Sequence, residues 1–296
     1  PQANSTVNWV DVGATHVYTG GSFTNIDGKK ALYFAKLDKN TAELLPSVTF
    51  NSLTYDAKRK DGNMYVVGSH TQGGLMCSKL AYFPGSSDRS EFQFPMSNGA
   101  INSIVEDGNG GWYVGGTFTT LDNAQVARLA HILPDKTVDQ NFNMSVNSTV
   151  NVLVKEGNIL YLGGNFTNVG GTNRDRVAAI NLSNNSVTDW SPSFNSTVNS
   201  IKKVGNDFYV GGMFTRVNDK PASYLAKVDG NQGELLPSFS TNGNVQDMLL
   251  DGGNLYLGGN FSRSGYAANN LAEVALNNDF PTFQFPQANS AINAIV

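Results

Sequence analysis

Apolar and polar residues alternate along short stretches that return at a fixed interval. The run Thr6-Val7-Asn8-Trp9-Val10-Asp11-Val12 has the period of a half-buried strand. A turn through Gly13 leads to a second run, which ends in Tyr18-Thr19-Gly20-Gly21-Ser22-Phe23-Thr24. A polar loop covers 25–30, a third strand is predicted over 32–37, and a fourth, irregular one over 44–50. Pro46 in that fourth run fits an outer edge strand, where a missing N–H costs no ladder bond.

The same order then recurs. The Tyr-x-Gly-Gly-x-Phe-Thr run reappears at 113–119, 161–167, 209–215 and, ending in Ser, at 256–262, with a degraded copy, Tyr65-Val66-Val67-Gly68-Ser69-His70-Thr71. The second glycine falls at 21, 68, 116, 164, 212 and 259, in steps of 47, 48, 48, 48 and 47. Such a period marks stacked supersecondary units, none of which can bury its apolar face alone. Four strands in about 48 residues is the size of a propeller blade. The expectation is therefore an all-β chain, a β-propeller of four-stranded blades in six repeats of 47–48 residues, forming one domain over 1–296. Residues 286–293 echo residues 1–8, so six units are followed by the first strand of another. Either one end is displaced from a shared innermost position, or the chain is cut from a longer array; the cut is the favoured expectation.

Within the repeat, glycine pairs inside a strand weaken it unless a side chain cannot fit there. The expectation is that a neighbouring aromatic ring lies over the bare backbone of these pairs, whose second members are Gly21, Gly116, Gly164, Gly212 and Gly259. The phenylalanine two residues on (Phe23, Phe118, Phe166, Phe214 and Phe261) then wedges between blades. No Lys-Ser/Thr or helix start follows these glycines, which excludes a phosphate-binding loop. Asp61-Gly62, Asp107-Gly108 and Asp251-Gly252 read as hairpin turns rather than calcium loops, since spaced oxygen ligands are missing.

The second repeat deviates. His70 replaces a wedge phenylalanine, and Cys77, the sole cysteine, excludes an internal disulfide and reads as a small buried hydrophobe. His16, His70 and His131 occupy unequal positions without zinc-ligand spacing, and no Gly-x-Ser-x-Gly elbow is present. No metal, cofactor or catalytic set is expected. Asp11, Asp56, Glu106 and Asp247, near the ends of first strands, are the only carboxylates placed to serve a polysaccharide hydrolase or lyase in a central channel. Eight Asn-x-Ser/Thr sequons, including Asn4, Asn147, Asn165, Asn195 and Asn260, read as incidental in so Asn-, Ser- and Thr-rich a chain.

Charged residues make up 15% of the chain, against a typical ~25%, and the net charge is −4. Nothing here attracts nucleic acid or an anionic membrane at long range, and no apolar run is long enough to span a bilayer.

The Tyr-Val-Gly-Gly-x-Phe-Thr core, endings such as Val138-Asp139-Gln140-Asn141-Phe142-Asn143, and openings such as Val150-Asn151-Val152-Leu153-Val154 together resemble the bacterial delta-60 repeat, a propeller-forming family. The resemblance spans nearly the whole chain and implies a secreted or surface-attached bacterial protein. It carries no catalytic residues across. The family's glycine in the turn before the fourth strand is matched by Gly230 and Gly233 and lacking in other copies. Fungal cell-surface landmark proteins contain a similar Gly-Gly-x-Phe strand, which leaves a eukaryotic source open.

The polar loops after the glycine strand vary while the scaffold repeats, and they carry Lys29, Lys30, Arg174, Asp175, Arg176, Arg216, Lys220, Arg263 and Tyr266. Variable loops on a rigid scaffold are where binding resides, and Arg and Tyr are enriched at hot spots. The competing reading is a solvated rim. Three functions stay open: an extracellular binding or adhesion module for a protein or surface glycan, a passive spacer with further domains beside it, and an enzyme. The first is preferred, with no enzymatic activity.

Overall fold

A computed structural model describes residues 1–73, 75–76, 79–84, 94–251, 253–264, 266–267, 270–276, 280–282 and 292. It divides into two compact units, residues 1–143 and 144–295. The described residues are all β, without a helix. Each repeat contributes one antiparallel sheet in which first, second and third strands pair in sequence order. In the first repeat these are Val7–Val12, His16–Gly21 and Phe34–Asp38, with Leu44–Leu45 as a short fourth. Among the described residues, four of these sheets have four strands and two have three.

The fourth strands are shorter than the sequence predicts. Pro46 and Pro237 follow directly on the two-residue strands Leu44–Leu45 and Leu235–Leu236, where an imide nitrogen cannot extend the ladder. In the third repeat the expected strand over 138–142 reduces to one bridge between Ile132 and Val138. The segment expected to close the second repeat, over 90–95, lies outside the described residues at 90–93. Cys77 and the echo at 286–293, apart from Ile292, also lie outside them.

Each first strand carries a bulge at the same place, between Val7 and Trp9, Thr54 and Asp56, Ile101 and Ser103, Val150 and Val152, Val198 and Ser200, and Val245 and Asp247. The bulge accounts for the second glycine. A Cβ on Gly21, Gly68, Gly116, Gly164, Gly212 or Gly259 would collide with the backbone carbonyl just before the bulge, from Thr6, Leu53, Ala100, Thr149, Thr197 and Asn244 respectively. The expected aromatic cover is thus wrong for that glycine. Side chains do cover the first glycine of the pair, with Trp9 over Gly20 and aliphatic Val198 and Val245 over Gly163 and Gly211.

Within each unit, core forms between consecutive sheets. One cluster joins Tyr65 and Val67 of the second repeat to Ile104, Trp112 and Phe118 of the third. Another joins Val177 and Trp190 of the fourth to Ile201, Phe208 and Phe214 of the fifth. Phe23, Phe118, Phe166, Phe214 and Phe261 are buried, as a wedge requires. Asparagines on the bulges tie neighbouring first strands. The Asn8 amide donates to the Thr54 carbonyl at 2.8 Å, and the Asn151 amide to the Val198 carbonyl at 3.0 Å.

Candidate functional site

The loops after the second strands are small, rigid hairpins. In the first repeat Asn25–Ile26 pairs with Lys29–Lys30, in the fourth Asn168–Val169 with Thr172–Asn173, and in the fifth Arg216–Val217 with Lys220–Pro221. Two-residue turns need left-handed backbone, and Asp27-Gly28, Gly170-Gly171 and Asn218-Asp219 all have positive φ. The inward residues Ile26, Leu121, Val169 and Val217 are buried, and each bridges to the linker entering its own repeat.

Turn residues clamp the hairpins to those linkers. The Asp27 amide donates to the Gln2 carbonyl at 2.9 Å, and the Gln2 amide returns a bond to the Asp27 carboxylate at 2.6 Å. Asn218 and Ser193 repeat the exchange at 2.9 and 2.8 Å. A second lock uses the linker asparagine. The Asn147 carboxamide oxygen accepts from the Thr167 and Asn168 amides at 2.9 and 3.0 Å, while its nitrogen donates to the Thr167 hydroxyl at 2.8 Å. Asn4, Asn98 and Asn195 make the same three bonds in their own repeats. Three of the sequons, at Asn4, Asn147 and Asn195, therefore have structural work for their carboxamides.

On this scaffold the candidate binding residues separate into two groups. Lys29, Lys30, Arg216 and Lys220 are exposed on the hairpins. Arg216 reaches only the Asp219 carbonyl at 2.7 Å, and Lys220 lies 3.5 Å from Glu234 in an exposed pair. Arg174 and Arg176 instead fold inward. Arg174 donates to the Asn173 and Thr188 carbonyls at 2.7 Å each, and Arg176 to the Phe166 carbonyl at 3.0 Å. Their Nε atoms are buried without a partner, so these guanidinia brace the backbone rather than face a ligand. Asp175 accepts from the Ser193 hydroxyl at 2.9 Å. The backbones of Arg263 and Tyr266 pair in the sixth hairpin, and their side chains lie outside the described residues. Within each unit the hairpins leave the same end of successive second strands and so share one side.

Arg176 also belongs to a feature with no sequence signal. The residue just before every third strand, namely Tyr33, Lys79, Arg128, Arg176, Tyr224 or Asn270, has a φ between 62 and 70°. Bulky residues pay about 1–2 kcal/mol to adopt that conformation. In return, each amide bonds the carbonyl of the wedge residue at 2.7–2.9 Å, and each carbonyl accepts from the second glycine's amide at 2.9–3.2 Å. The turn before the fourth strand is left-handed in the same way at Ala42, Lys136, Asn185 and Gly233, so glycine is not required there.

The four first-strand carboxylates are each engaged by neighbours within their own unit. Asp11 is paired with Arg59 of the next repeat, Glu106 lies 3.1 Å from Lys60, and Asp56 lies 3.3 Å from Lys58 and accepts from the Ile104 amide at 3.2 Å. Asp247 accepts from the Met248 amide at 2.8 Å. Among the described residues no three His, Cys, Asp or Glu side chains are grouped to hold a metal ion.

A cluster that sequence spacing hid lies in the third repeat. His131 places Nε2 3.1 Å from Asp107 and Nδ1 2.9 Å from Asp139, and stacks on Tyr113 at 4.4 Å. Burial pushes both carboxyls up, yet both stay below the ordinary range. For Asp107 the larger opposing causes are bonds from the Asn109 amide, His131 and the Gly111 amide; for Asp139 they are His131 and the Asn141 amide. Asp107 is thus the cap of a longer turn, not the two-residue hairpin its Asp-Gly pair predicts. Burial likewise pushes the Tyr113 phenol up to about 12.

No protein-family model matches the chain, and no curated protein matches it in sequence. Among solved structures, the WD40 domain of Neurospora crassa Pan2 superposes with a TM-score of 0.63 at 9% identity, over 98% of this chain and 82% of that one. The computationally designed Ika8 protein superposes with a TM-score of 0.62 at 12% identity, over 98% and 90%. At such identities the likeness concerns the fold alone. The fold is β-propeller-like.

Proposed function

We propose that this chain is an extracellular, non-enzymatic binding module of the delta-60 repeat type, its six repeats the four-stranded blades of one propeller, and its ligand a protein or a surface polysaccharide. The observation that carries the reading is the contrast within the hairpins. Their buried residues and linker clamps hold them rigid, while Lys29, Lys30, Arg216 and Lys220 stand exposed upon them. Rigid presentation lowers the entropic cost of association. The individual engagement of Asp11, Asp56, Glu106 and Asp247 speaks for binding over polysaccharide cleavage.

A glycan array and a cell-surface pull-down test the proposal, comparing the purified chain with a variant carrying Arg216→Ala and Lys220→Ala. Saturable binding lost in that variant, at an unchanged thermal transition, is the expected result. Binding retained in full would overturn the assignment of this side.

A further inference from the structure

We propose that the second repeat is an acid-sensitive latch, which opens when the buried wedge residue His70 takes up a proton, while the phenylalanine-wedged repeats stay shut. His70 has no exposed surface, and neither ring nitrogen has a hydrogen-bond partner. It occupies the place of Phe23, Phe118, Phe166, Phe214 and Phe261. Its ring meets Phe50 edge-on at 4.4 Å, much as Phe214 meets Phe194 at 4.7 Å in the fifth repeat. A neutral imidazole does the work of a wedge phenylalanine there. A protonated one is a buried charge that its surroundings compensate only in part.

The surroundings offer one opposing influence, the Leu53 carbonyl, which favours the protonated ring but does not outweigh burial. The segment bringing Phe50, from Pro46 to Leu53, carries no charge, and the Leu53 carbonyl already accepts from the Ser69 amide at 3.0 Å. Lys79, which leads into the third strand, bonds the Ser69 carbonyl through Nζ at 2.9 Å and repels a second positive charge. On the first strand, Asp56 is committed to the Ile104 amide and Lys58. The positive charges on that strand, Lys58, Arg59 and Lys60, are each paired with a carboxylate, Asp56, Asp11 and Glu106.

Burial, the largest cause, with Lys79 beside it and against the pull of the Leu53 carbonyl, holds the imidazole down to about 3, against 6.5 when exposed. A depressed histidine costs no stability above the exposed value, and the opened form gains steadily as pH falls below it. Between pH 7.4 and 5.0 the opening equilibrium of this repeat should rise about 30-fold. A device of this kind would make one repeat yield in an acidic compartment while the others hold their shape.

The test is hydrogen exchange read by mass spectrometry at pH 7.4 and 5.0, corrected for intrinsic rates, on the full chain and on His70→Phe. Faster exchange in acid at residues 54–83 of the wild type, absent from His70→Phe, is expected. An acid response kept by His70→Phe, spread evenly over all repeats, or missing from the wild type would overturn the proposal. Should His70→Phe misfold, His70→Leu carries the same contrast. A response abolished instead by His131→Phe would assign the effect to the third repeat and equally refute it.

Discussion

Removing the Asn147 carboxamide is the most direct probe of how the hairpins are held. Asn147→Ala leaves the Thr167 and Asn168 amides and the Thr167 hydroxyl without the partners they have at 2.9, 3.0 and 2.8 Å. The site is exposed, so water recovers part of each bond. The loss resembles that of a helix cap, where one side chain also satisfies amides at the end of an element, and amounts to about 1–2 kcal/mol. For a cooperative unit near 150 residues, that lowers the thermal midpoint by roughly 3–6 °C. Asn147→Asp keeps the acceptor and should stay within about 0.5 kcal/mol of wild type at neutral pH. Asn195 makes the same bonds in the next repeat, at 2.9, 3.0 and 3.0 Å, so Asn195→Ala should cost the same. Urea denaturation of the four proteins decides. Alanine variants indistinguishable from wild type, or an aspartate variant as damaged as the alanine one, would show that the carboxamide does not hold the hairpin.

Gly164→Ala should destabilise by about 2–3 kcal/mol in the same assay, because its Cβ meets the Thr149 carbonyl, which the bulge prevents from moving; a neutral outcome would refute the close approach. His131→Phe removes the imidazole bonds to Asp107 and Asp139 and should cost about 1–3 kcal/mol at pH 7. Both carboxyls are held below their exposed value of 3.8, so their contribution is complete above it and lost as pH falls through the folded values. The gap between wild type and His131→Phe should therefore narrow below about pH 4, and the contribution of His70, common to both proteins, cancels from the difference. A constant gap would locate the cost in packing on Tyr113 instead.

The repeat was legible because each unit needs the same apolar face at the same places, and a period of 47 or 48 residues survives one deviant copy. Burial of the five phenylalanine wedges followed from that pattern, as did the left-handed turn at Asp61-Gly62. The asparagine lock left a trace that sequence reasoning passed over. Asn4, Asn51, Asn147, Asn195 and Asn242 each precede a threonine or serine by 20 residues, in step with the repeat.

The left-handed residue before each third strand left none. Tyr33, Lys79, Arg128, Arg176, Tyr224 and Asn270 share a backbone conformation imposed by bonds to the wedge carbonyl and the second glycine, and side-chain type plays no part in it. For the same reason the candidate arginines could not be sorted from the sequence. Arg174 and Arg176 turn to carbonyls that the chain brings beside them from Thr188 and Phe166, whereas Arg216, on a hairpin edge, has only its own turn to reach. Periodicity fixes which residues recur and which face is apolar. Which carbonyl stands opposite a glycine, and whether an arginine meets backbone or solvent, depends on contacts between segments distant in sequence, and only the folded chain decides them.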